Sequence, residues 1–254
     1  MTHFSLFTGI GGLDLAAEWA GFTTVGQVEW ADYPTKVLEK HWPDVPRWRD
    51  VRDVSAKSID ARGIKHITVL SGGFPCQPHS LAGKRQASAD ERDLWSELVR
   101  IAHEKRPRWI VGENVYGLLS SEDGRFFGRI LRDLDDLGYY AGWCCFPAYV
   151  VGAFFARPRV FIIARANSGG LQRNGQGSPK TIEPNLFTGT PSAAINAAIG
   201  LWNGKGTSNR RIRGINGLSS WMDRLKCLGN AVVPQQAYPI FQAIADIEGG
   251  GIAP

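Results

Sequence analysis

The sequence predicts an α/β protein with a mostly parallel sheet and helices on both faces. Apolar runs of strand length alternate with amphipathic stretches of helix length, which is typical of βα units. In the first unit the apolar run Phe4–Phe7 is followed by a glycine turn, and Leu13–Ala20 then has helical periodicity. Later runs of strand type are Thr23–Val28, Ile67–Leu70 and Trp109–Val111. A chain of 254 residues has room for one large domain, with or without a smaller lobe.

The composition excludes several classes of protein. Hydrophobic residues make up 43% of the chain and charged residues 21%, which is typical of a globular protein and not of a disordered one. The four cysteines lack paired spacing, so they predict neither a disulfide scaffold nor a zinc site, and we expect no metal. The N-terminus has no secretory signal pattern, and a cytoplasmic location fits these features best.

The stretch Leu137–Ala156 holds no charged residue and imitates a membrane span. Glycine and proline residues interrupt it, and its aromatic and β-branched residues favour strands. We therefore predict two buried strands joined by a turn, and no membrane as a partner.

Residues 166–222 form a basic segment that is rich in glycine and asparagine. The net charge of the chain is +5, and this segment accounts for all of it, because six basic side chains stand against Glu183 alone. Basic side chains neutralise phosphates, so the segment suits a nucleic acid, although a solvated loop lobe would have the same composition. We predict a small irregular lobe here, between a domain at 1–165 and a C-terminal segment at 223–254.

Polar groups follow the first three predicted strands. The turn after the first strand favours electronegative ligands, because glycines permit close approach and a helix N-terminus offers free N–H donors. The second strand ends at Glu29 and Trp30, where a carboxylate can accept hydrogen bonds from a ribose and an indole can stack on a base. Asp50 follows the third strand. Each acid taken alone is better explained as an ordinary surface carboxylate, but together they favour a nucleoside-like cofactor.

Cys76 stands between Pro75 and Pro78, just past the predicted strand Ile67–Leu70. Two prolines stiffen this loop, and α/β sheets bind ligands at this edge. The position suits a nucleophile, while a buried and inert cysteine is an alternative of equal weight. The remaining cysteines are assigned to packing: Cys144, Cys145 and Cys227.

A further acid and two arginines lie beside later strands. Glu113 follows Trp109–Val111, where it is either an active-site acid or the structural partner of an arginine. Arg157 and Arg159 precede the predicted strand Val160–Ala164, and alternate residues of an extended chain face the same side. We expect both guanidinium groups to point into one cleft, with a pair of surface arginines as the alternative.

Taken in order, these blocks resemble the cytosine-C5 DNA methyltransferases of the compact bacterial and phage type. The match covers residues 4–165 and 224–245, and its most specific element is Gly73-Phe74-Pro75-Cys76-Gln77. The supporting blocks are Leu6-Phe7-Thr8-Gly9-Ile10-Gly11-Gly12, Glu29-Trp30, Glu113-Asn114-Val115, Arg157-Pro158-Arg159 and Leu228-Gly229-Asn230-Ala231-Val232-Val233-Pro234. The resemblance implies a Rossmann-like fold of the S-adenosylmethionine-dependent methyltransferases.

The resemblance also implies that S-adenosylmethionine binds across the strand ends. Phe7 and Trp30 would lie against the adenine, Glu29 on the ribose and Asp50 near the adenine amino group. The glycines of the first turn would clear space for the methionine moiety. The full implied set of cofactor residues is Phe7, Thr8, Gly9, Gly11, Gly12, Glu29, Trp30, Asp50, Pro75, Leu94, Asn230 and Ala231.

The implied reaction is methyl transfer to C5 of a cytosine flipped out of double-stranded DNA. Cys76 would add to C6 of the base, and Glu113 would stabilise protonation at N3. Arg157 and Arg159 would hold the base carbonyl and a phosphate. The basic lobe would be the target-recognition region, and the expected DNA contacts are Gln77, Ser80, Lys84, Arg210, Arg211 and Arg213.

Two features depart from the family pattern. Phe155 stands where many relatives have a glutamine, which puts the support of the active-site loop in doubt. The recognition segment is short, which predicts a target of about two to four base pairs, since one bidentate contact gives about 1–3 kcal/mol of discrimination.

Two other functions stay open at this point: a tRNA cytosine methyltransferase, and a DNA-binding module that has lost turnover. We expect a monomer in the cytoplasm of a bacterial or phage-infected cell. A companion restriction endonuclease is compatible with this type of enzyme.

Overall fold

The computed structural model describes residues 1–75, 94–167 and 231–250. Nearly all of the predicted lobe lies outside these ranges, so the proposed domain boundaries stay predictions. The predicted site residues outside them are Cys76, Gln77, Ser80, Lys84, Arg210, Arg211, Arg213 and Asn230, and Cys227 is outside them as well.

Seven strands form one sheet in the order β3-β2-β1-β4-β5-β7-β6. Strands β1 to β5 are parallel to one another, whereas β7 is antiparallel to both β5 and β6. The prediction of a mostly parallel sheet is therefore confirmed. The strands are β1 (Thr2–Leu6), β2 (Thr23–Val28), β3 (Arg47–Trp48), β4 (Val69–Gly72), β5 (Trp109–Val115), β6 (Tyr139–Phe146) and β7 (Arg159–Ala166).

Helices cover both faces of the sheet. They are α1 (Gly12–Trp19), α2 (Asp32–His41), α3 (Ala56–Asp60), α4 (Leu94–Lys105), α5 (Arg125–Asp136) and α6 (Pro234–Glu248). Shorter 3-10 segments lie at Val51–Asp53, Tyr116–Gly124 and Ala148–Val151.

Successive side chains of each strand point to opposite faces of the sheet, which divides the core into two layers. Val69 and Val111 pack with the apolar residues of α1 and α6, whereas their neighbours Leu70 and Ile110 pack with those of α3, α4 and α5. This is the alternation expected of strands that are buried on both faces. Helix α6 thus brings the C-terminal part of the chain against α1, beside the first βα unit.

The region after α5 differs from the expectation of two buried strands. A single strand, β6, is followed by the 3-10 segment Ala148–Val151. Within the described residues β6 pairs with β7 alone, so it is an edge strand and leaves Tyr140 and Trp143 exposed. Cys145 is also exposed and Cys144 only partly buried, so the assignment of Cys145 to packing is wrong.

Two kinds of feature are absent from the described residues. No helix there is long and apolar enough to cross a membrane. No group of three or more His, Cys, Asp or Glu side chains in those ranges is arranged to hold a metal ion.

Candidate active site

The parallel strands bring the predicted site residues to one edge of the sheet. The carboxyl ends of β1, β2, β4 and β5 meet there, and the amino end of the antiparallel strand β7 joins them. Ligands of open α/β sheets bind at this edge. The described members of the predicted site therefore share one region, although Phe7 and Ala231, the first and last of them, are 224 positions apart in the chain.

The turn after β1 is tied to the end of β2 through Thr8. The backbone N–H of Thr8 donates to the carbonyl of Val28 over 2.9 Å, and Thr8 Oγ1 accepts from the N–H of Val28 over 3.1 Å. Thr8 is buried, and its hydroxyl also lies 2.9 Å from Ser5 Oγ. Its side chain therefore fixes the turn from inside the protein.

Glu29 closes the same turn from the end of β2. Its carboxylate accepts from the backbone N–H groups of Gly9 over 2.7 Å and Ala31 over 2.8 Å. Burial raises the pKa of Glu29 above its usual value, and the two backbone donors oppose that shift. The adjoining Trp30 is 67% exposed, so its ring is open to a planar ligand.

Two of the turn glycines are required by neighbouring protein atoms. A Cβ on Gly11 would lie 2.5 Å from the Trp42 ring, and one on Gly12 would lie 2.5 Å from the carbonyl oxygen of Val232. A Cβ on Gly9 would meet nothing within 4 Å. Of the three glycines predicted to clear space for a ligand, Gly9 faces open space, whereas Gly11 and Gly12 face side-chain and backbone atoms.

The other predicted cofactor residues line the same edge in different ways. Phe7 has a left-handed backbone, with φ of 53°, and packs against the core layer that includes Leu98. Asp50 caps the segment Val51–Asp53 and pairs with Arg52 over 2.6 Å, which lowers the pKa of Asp50. Pro75 is exposed, and Leu94 is half-buried at the start of α4.

Glu113 is a buried acid with a cationic partner. It is 6% exposed, and its Oε1 lies 2.8 Å from Nε of Arg159. Glu113 and Arg159 are diagonal neighbours across β5 and β7, because Val115 is paired with Arg159. Burial raises the pKa of Glu113 to about 6, while Arg159 and then Arg157 act to lower it.

The position of Glu113 corrects one detail of the sequence prediction. Strand β5 continues to Val115, since β7 pairs with it along its whole length, so Glu113 lies inside the strand and not beyond it. Arg159 pairs with Glu113, whereas the guanidinium group of Arg157 donates to the carbonyl of Ala231, so the expectation that both point into one cleft stays a prediction. The sequence left two roles open for Glu113, an active-site acid or the structural partner of an arginine. The contact with Arg159 fits both roles, because an ion pair does not exclude an active-site role.

The segment that leads to Cys76 is held against Glu113 and Asn114. A Cβ on Gly73 would lie 3.0 Å from Glu113 Oε2, and Asn114 Nδ2 donates to the carbonyl of Phe74 over 2.9 Å. Phe74 is buried against Trp95, with ring centroids 5.0 Å apart. The side chain of Asn114 was missed as a site residue, although it stands within the quoted block Glu113-Asn114-Val115.

The C-terminal segment reaches the site through Ala231 and Val232. The guanidinium group of Arg157 donates to the carbonyl of Ala231. Val232 meets Gly12, and its side chain lies 3.8 Å from the position of a Cβ on Gly73. Residues 231–232 therefore contact the glycine turn, the Gly73 segment and Arg157.

Comparison with known proteins assigns the chain to a family. The family model described as C-5 cytosine-specific DNA methylase matches residues 1–200. The chain belongs to this family. The prediction from the sequence motifs is thereby confirmed.

Two curated relatives are type II methyltransferases. M.NgoMIV of Neisseria gonorrhoeae is 35% identical over 166 residues, which is 65% of this chain and 52% of that protein. M.HhaI of Haemophilus parahaemolyticus is 32% identical over 188 residues, which is 74% of this chain and 55% of that protein. The chain thus spans about half the length of the curated relatives that it matches.

Solved structures agree on the fold. A DNA modification methyltransferase encoded within a prophage of E. coli superposes with a TM-score of 0.56 at 25% identity, over 65% of this chain and 47% of that one. DNMT2 of Spodoptera frugiperda gives a TM-score of 0.54 at 20% identity, over 70% of this chain and 53% of that one. These likenesses support the Rossmann-like methyltransferase fold.

Proposed function

We propose that this member of the family transfers a methyl group from S-adenosylmethionine to C5 of cytosine in DNA through a covalent bond to Cys76. The observation that carries the proposal is the environment of Glu113. This acid is buried, paired with Arg159 over 2.8 Å and adjacent to the Gly73–Pro75 segment that leads directly to Cys76. A thiol and a proton-sharing acid are the two groups that this reaction requires.

The described residues at the ends of β1 and β2 fit S-adenosylmethionine. The Glu29 carboxylate can accept further hydrogen bonds from ribose hydroxyls, since each of its oxygens has used one acceptor site. Trp30 offers an exposed ring for the adenine, and Gly9 faces open space. When bound, S-adenosylmethionine supplies an electrophilic methyl group.

The chemistry of cytosine assigns a task to each residue. C5 is a poor nucleophile while the ring is aromatic, so the Cys76 thiolate adds to C6 and Glu113 gives a proton to N3. The resulting enamine carries electron density at C5, which would take the methyl group from the sulfonium of the bound cofactor, with the electron pair of the broken S–C bond staying on the departing thioether. A base then removes the C5 proton, the C5–C6 double bond reforms, the thiolate leaves and N3 returns its proton.

The pKa of Glu113 suits this exchange. A carboxyl group with a pKa of about 6 both donates and accepts a proton near neutral pH at small cost. Arg159 stabilises the ionised form of Glu113 by pairing with it, and the positive charge of Arg157 acts in the same direction. That field also favours a thiolate over a thiol at a neighbouring cysteine.

The target base is stacked inside a duplex, so it must flip out at a cost of a few kcal/mol. We propose that Gln77, Ser80 and Lys84 hold the opened DNA and that Arg210, Arg211 and Arg213 contact it in the lobe. The short lobe favours a target of about two to four base pairs. Bisulfite sequencing of DNA methylated in vitro tests this, and six or more defined positions would contradict it.

The experiment for the reaction follows tritium from labelled S-adenosylmethionine into DNA. We expect label at C5 of cytosine with the wild type and with Cys145→Ala, an exposed cysteine on β6 that serves as the matched control. Cys76→Ala should give no label. Incorporation by Cys76→Ala equal to wild type would overturn the covalent mechanism.

The same assay separates the two alternative functions. Label in purified tRNA at a rate above that in DNA would favour a tRNA methyltransferase. Binding of both DNA and S-adenosylmethionine without label would favour a binding module. We also expect a monomer, which light scattering of the purified protein tests, and a companion endonuclease stays a compatible partner.

A separate experiment tests the cofactor site. We expect Glu29→Gln to weaken binding of S-adenosylmethionine by about 10-fold to 100-fold, since hydrogen bonds to a charged group are worth about 1.5–3 kcal/mol. The exposed Glu39 of α2 provides the matched control Glu39→Gln, which should bind as wild type. Calorimetric titration that finds equal affinity for both variants would remove Glu29 from the site.

A further inference from the structure

Gln236 joins α6 to the two ends of the loop that precedes β7. It is completely buried, and its Nε2 donates to the carbonyl of Phe146 over 3.0 Å and to the carbonyl of Arg157 over 3.3 Å. A primary amide has two N–H donors, so this arrangement uses both of them. Gln236 therefore bridges the end of β6 and the start of β7.

The same loop is attached to the C-terminal segment a second time. The side chain of Arg157 donates to the carbonyl of Ala231, while the side chain of Gln236 donates to the carbonyl of Arg157. Ala231 precedes α6, and Gln236 lies five positions later, in the first turn of that helix. Arg157 is thus held at its guanidinium group by one residue of this segment and at its main chain by another.

The backbone of Arg157 has a strained conformation that this attachment stabilises. Its φ is 36°, in the left-handed region that residues with a side chain rarely adopt. Such a conformation persists when the surrounding structure holds it. The amide of Gln236 bonds to the carbonyl of this strained residue, where a loss of contact would free the backbone to relax.

The direction of both arginines depends on that backbone. Pro158 alone separates Arg157 from Arg159, and Arg159 pairs with Glu113 over 2.8 Å. Arg157 also acts on Glu113, where it lowers the pKa of the acid. A rotation at Arg157 would therefore alter the positive field around Glu113.

We propose that Gln236 is a positioning residue for the methyl transfer, which holds the backbone of Arg157 so that Arg159 keeps its pairing with Glu113 and the Arg157 guanidinium group stays on the carbonyl of Ala231. This inference rests on the proposed function. It also answers the doubt raised by Phe155, whose side chain has no hydrogen-bond donor. The amide that supports the active-site loop comes from α6.

The test compares Gln236→Met with Gln242→Met in the full chain. Methionine keeps the length of the side chain and removes the amide, and Gln242 is a glutamine of the same helix whose side chain bonds to Tyr238 and Asp246 within α6. We expect Gln236→Met to lower kcat about 10-fold to 100-fold, as small misplacement of catalytic groups does. The KM for S-adenosylmethionine should stay within about threefold of wild type, and Gln242→Met should match wild type in both.

The pH dependence distinguishes positioning from loss of structure. Because Arg157 lowers the pKa of Glu113, its displacement should move the pH profile of kcat in Gln236→Met to higher pH. A lower kcat with an unshifted profile, or a kcat within threefold of Gln242→Met, would overturn the proposal. If Gln236→Met does not fold, Gln236→Asn keeps a neutral amide, shortens the side chain by one methylene group and so withdraws the donors from the two carbonyl oxygens, and it is subject to the same criteria.

A measurement without turnover keeps this proposal separate from the proposed function. Hydrogen exchange of peptides covering residues 147–158 should be faster in Gln236→Met than in Gln242→Met. Equal exchange would contradict the attachment itself. A wild-type protein without methyl transfer would instead contradict the proposed function, whatever the exchange result.

Discussion

Asp14 at the start of α1 and Glu113 in β5 are both buried carboxyl groups, and burial raises the pKa of each to about 6. Their surroundings differ. Asp14 Oδ1 accepts from neutral groups, the hydroxyl of Ser5 over 2.8 Å and the amide of Gln27 over 3.0 Å. Glu113 instead pairs with Arg159.

The two acids also differ in what lies next to them. Asp14 lies in the first turn of α1, where Ser5 connects it to Thr8 and so to the turn after β1. Glu113 lies at the edge of the sheet, beside the segment that leads to Cys76. A raised pKa alone therefore does not mark a reactive acid, since only Glu113 combines it with cations and an approach for a substrate.

The largest expected effect is on catalysis. Glu113→Gln should lower kcat/KM for DNA by about 10²-fold to 10⁴-fold, because it removes proton exchange with N3. Asp14→Asn, the matched change at the other acid, should stay within about threefold of wild type. Tritium incorporation measures both, with circular dichroism as the control for folding, and equal losses in the two variants would erase the distinction.

The next effect concerns the cation beside Glu113. Arg159→Met leaves a buried charge without its partner, which should lower the free energy of unfolding by about 3–5 kcal/mol at pH 8. The loss should be smaller at pH 5.5, because Arg159 lowers the pKa of Glu113 and its removal lets the acid protonate more readily. Urea unfolding at both pH values gives the comparison.

A second background sharpens the result for Arg159. In Glu113→Gln the acid is gone, so Arg159→Met should cost less than it does in the wild type. An equal cost in both backgrounds, or one independent of pH, would mean that Arg159 contributes through packing and not through its charge.

Much of this site could be predicted from local patterns. Strand β2 has the predicted bounds, and β7 begins within one residue of the predicted start at Val160. Such inferences work because strand alternation and the parallel sheet edge are set by neighbours in the sequence. The end of β5 could not be placed this way, since its length depends on pairing with β7.

Contacts between distant segments were outside the reach of sequence patterns. Gln236 bonds to residues 79 and 90 positions away, and no periodicity of α6 indicates which buried polar side chain meets a loop carbonyl. Asp14 reads as an ordinary acid in the first turn of a helix, and its burial follows from the position of Ser5 and Gln27 under α1. Both side chains are buried in the core, and the sequence does not indicate which groups they bond to.

The smallest effect tests Asp14, which accepts its hydrogen bonds from the neutral groups of Ser5 and Gln27. An acid whose pKa is higher in the folded than in the unfolded chain destabilises the fold once it ionises, so Asp14 weakens the protein above about pH 6. Asp14→Asn keeps the oxygen that accepts from Ser5 and Gln27, and should raise the free energy of unfolding by about 2–3 kcal/mol at pH 8. The gain should shrink as the pH falls from about 6 towards 4, where Asp14 is protonated in the unfolded chain as well as in the folded one. Urea unfolding across this range measures it. A gain that does not change with pH, or a loss of stability at pH 8, would mean that Asp14 is stabilised as an anion, as Glu113 is by Arg159.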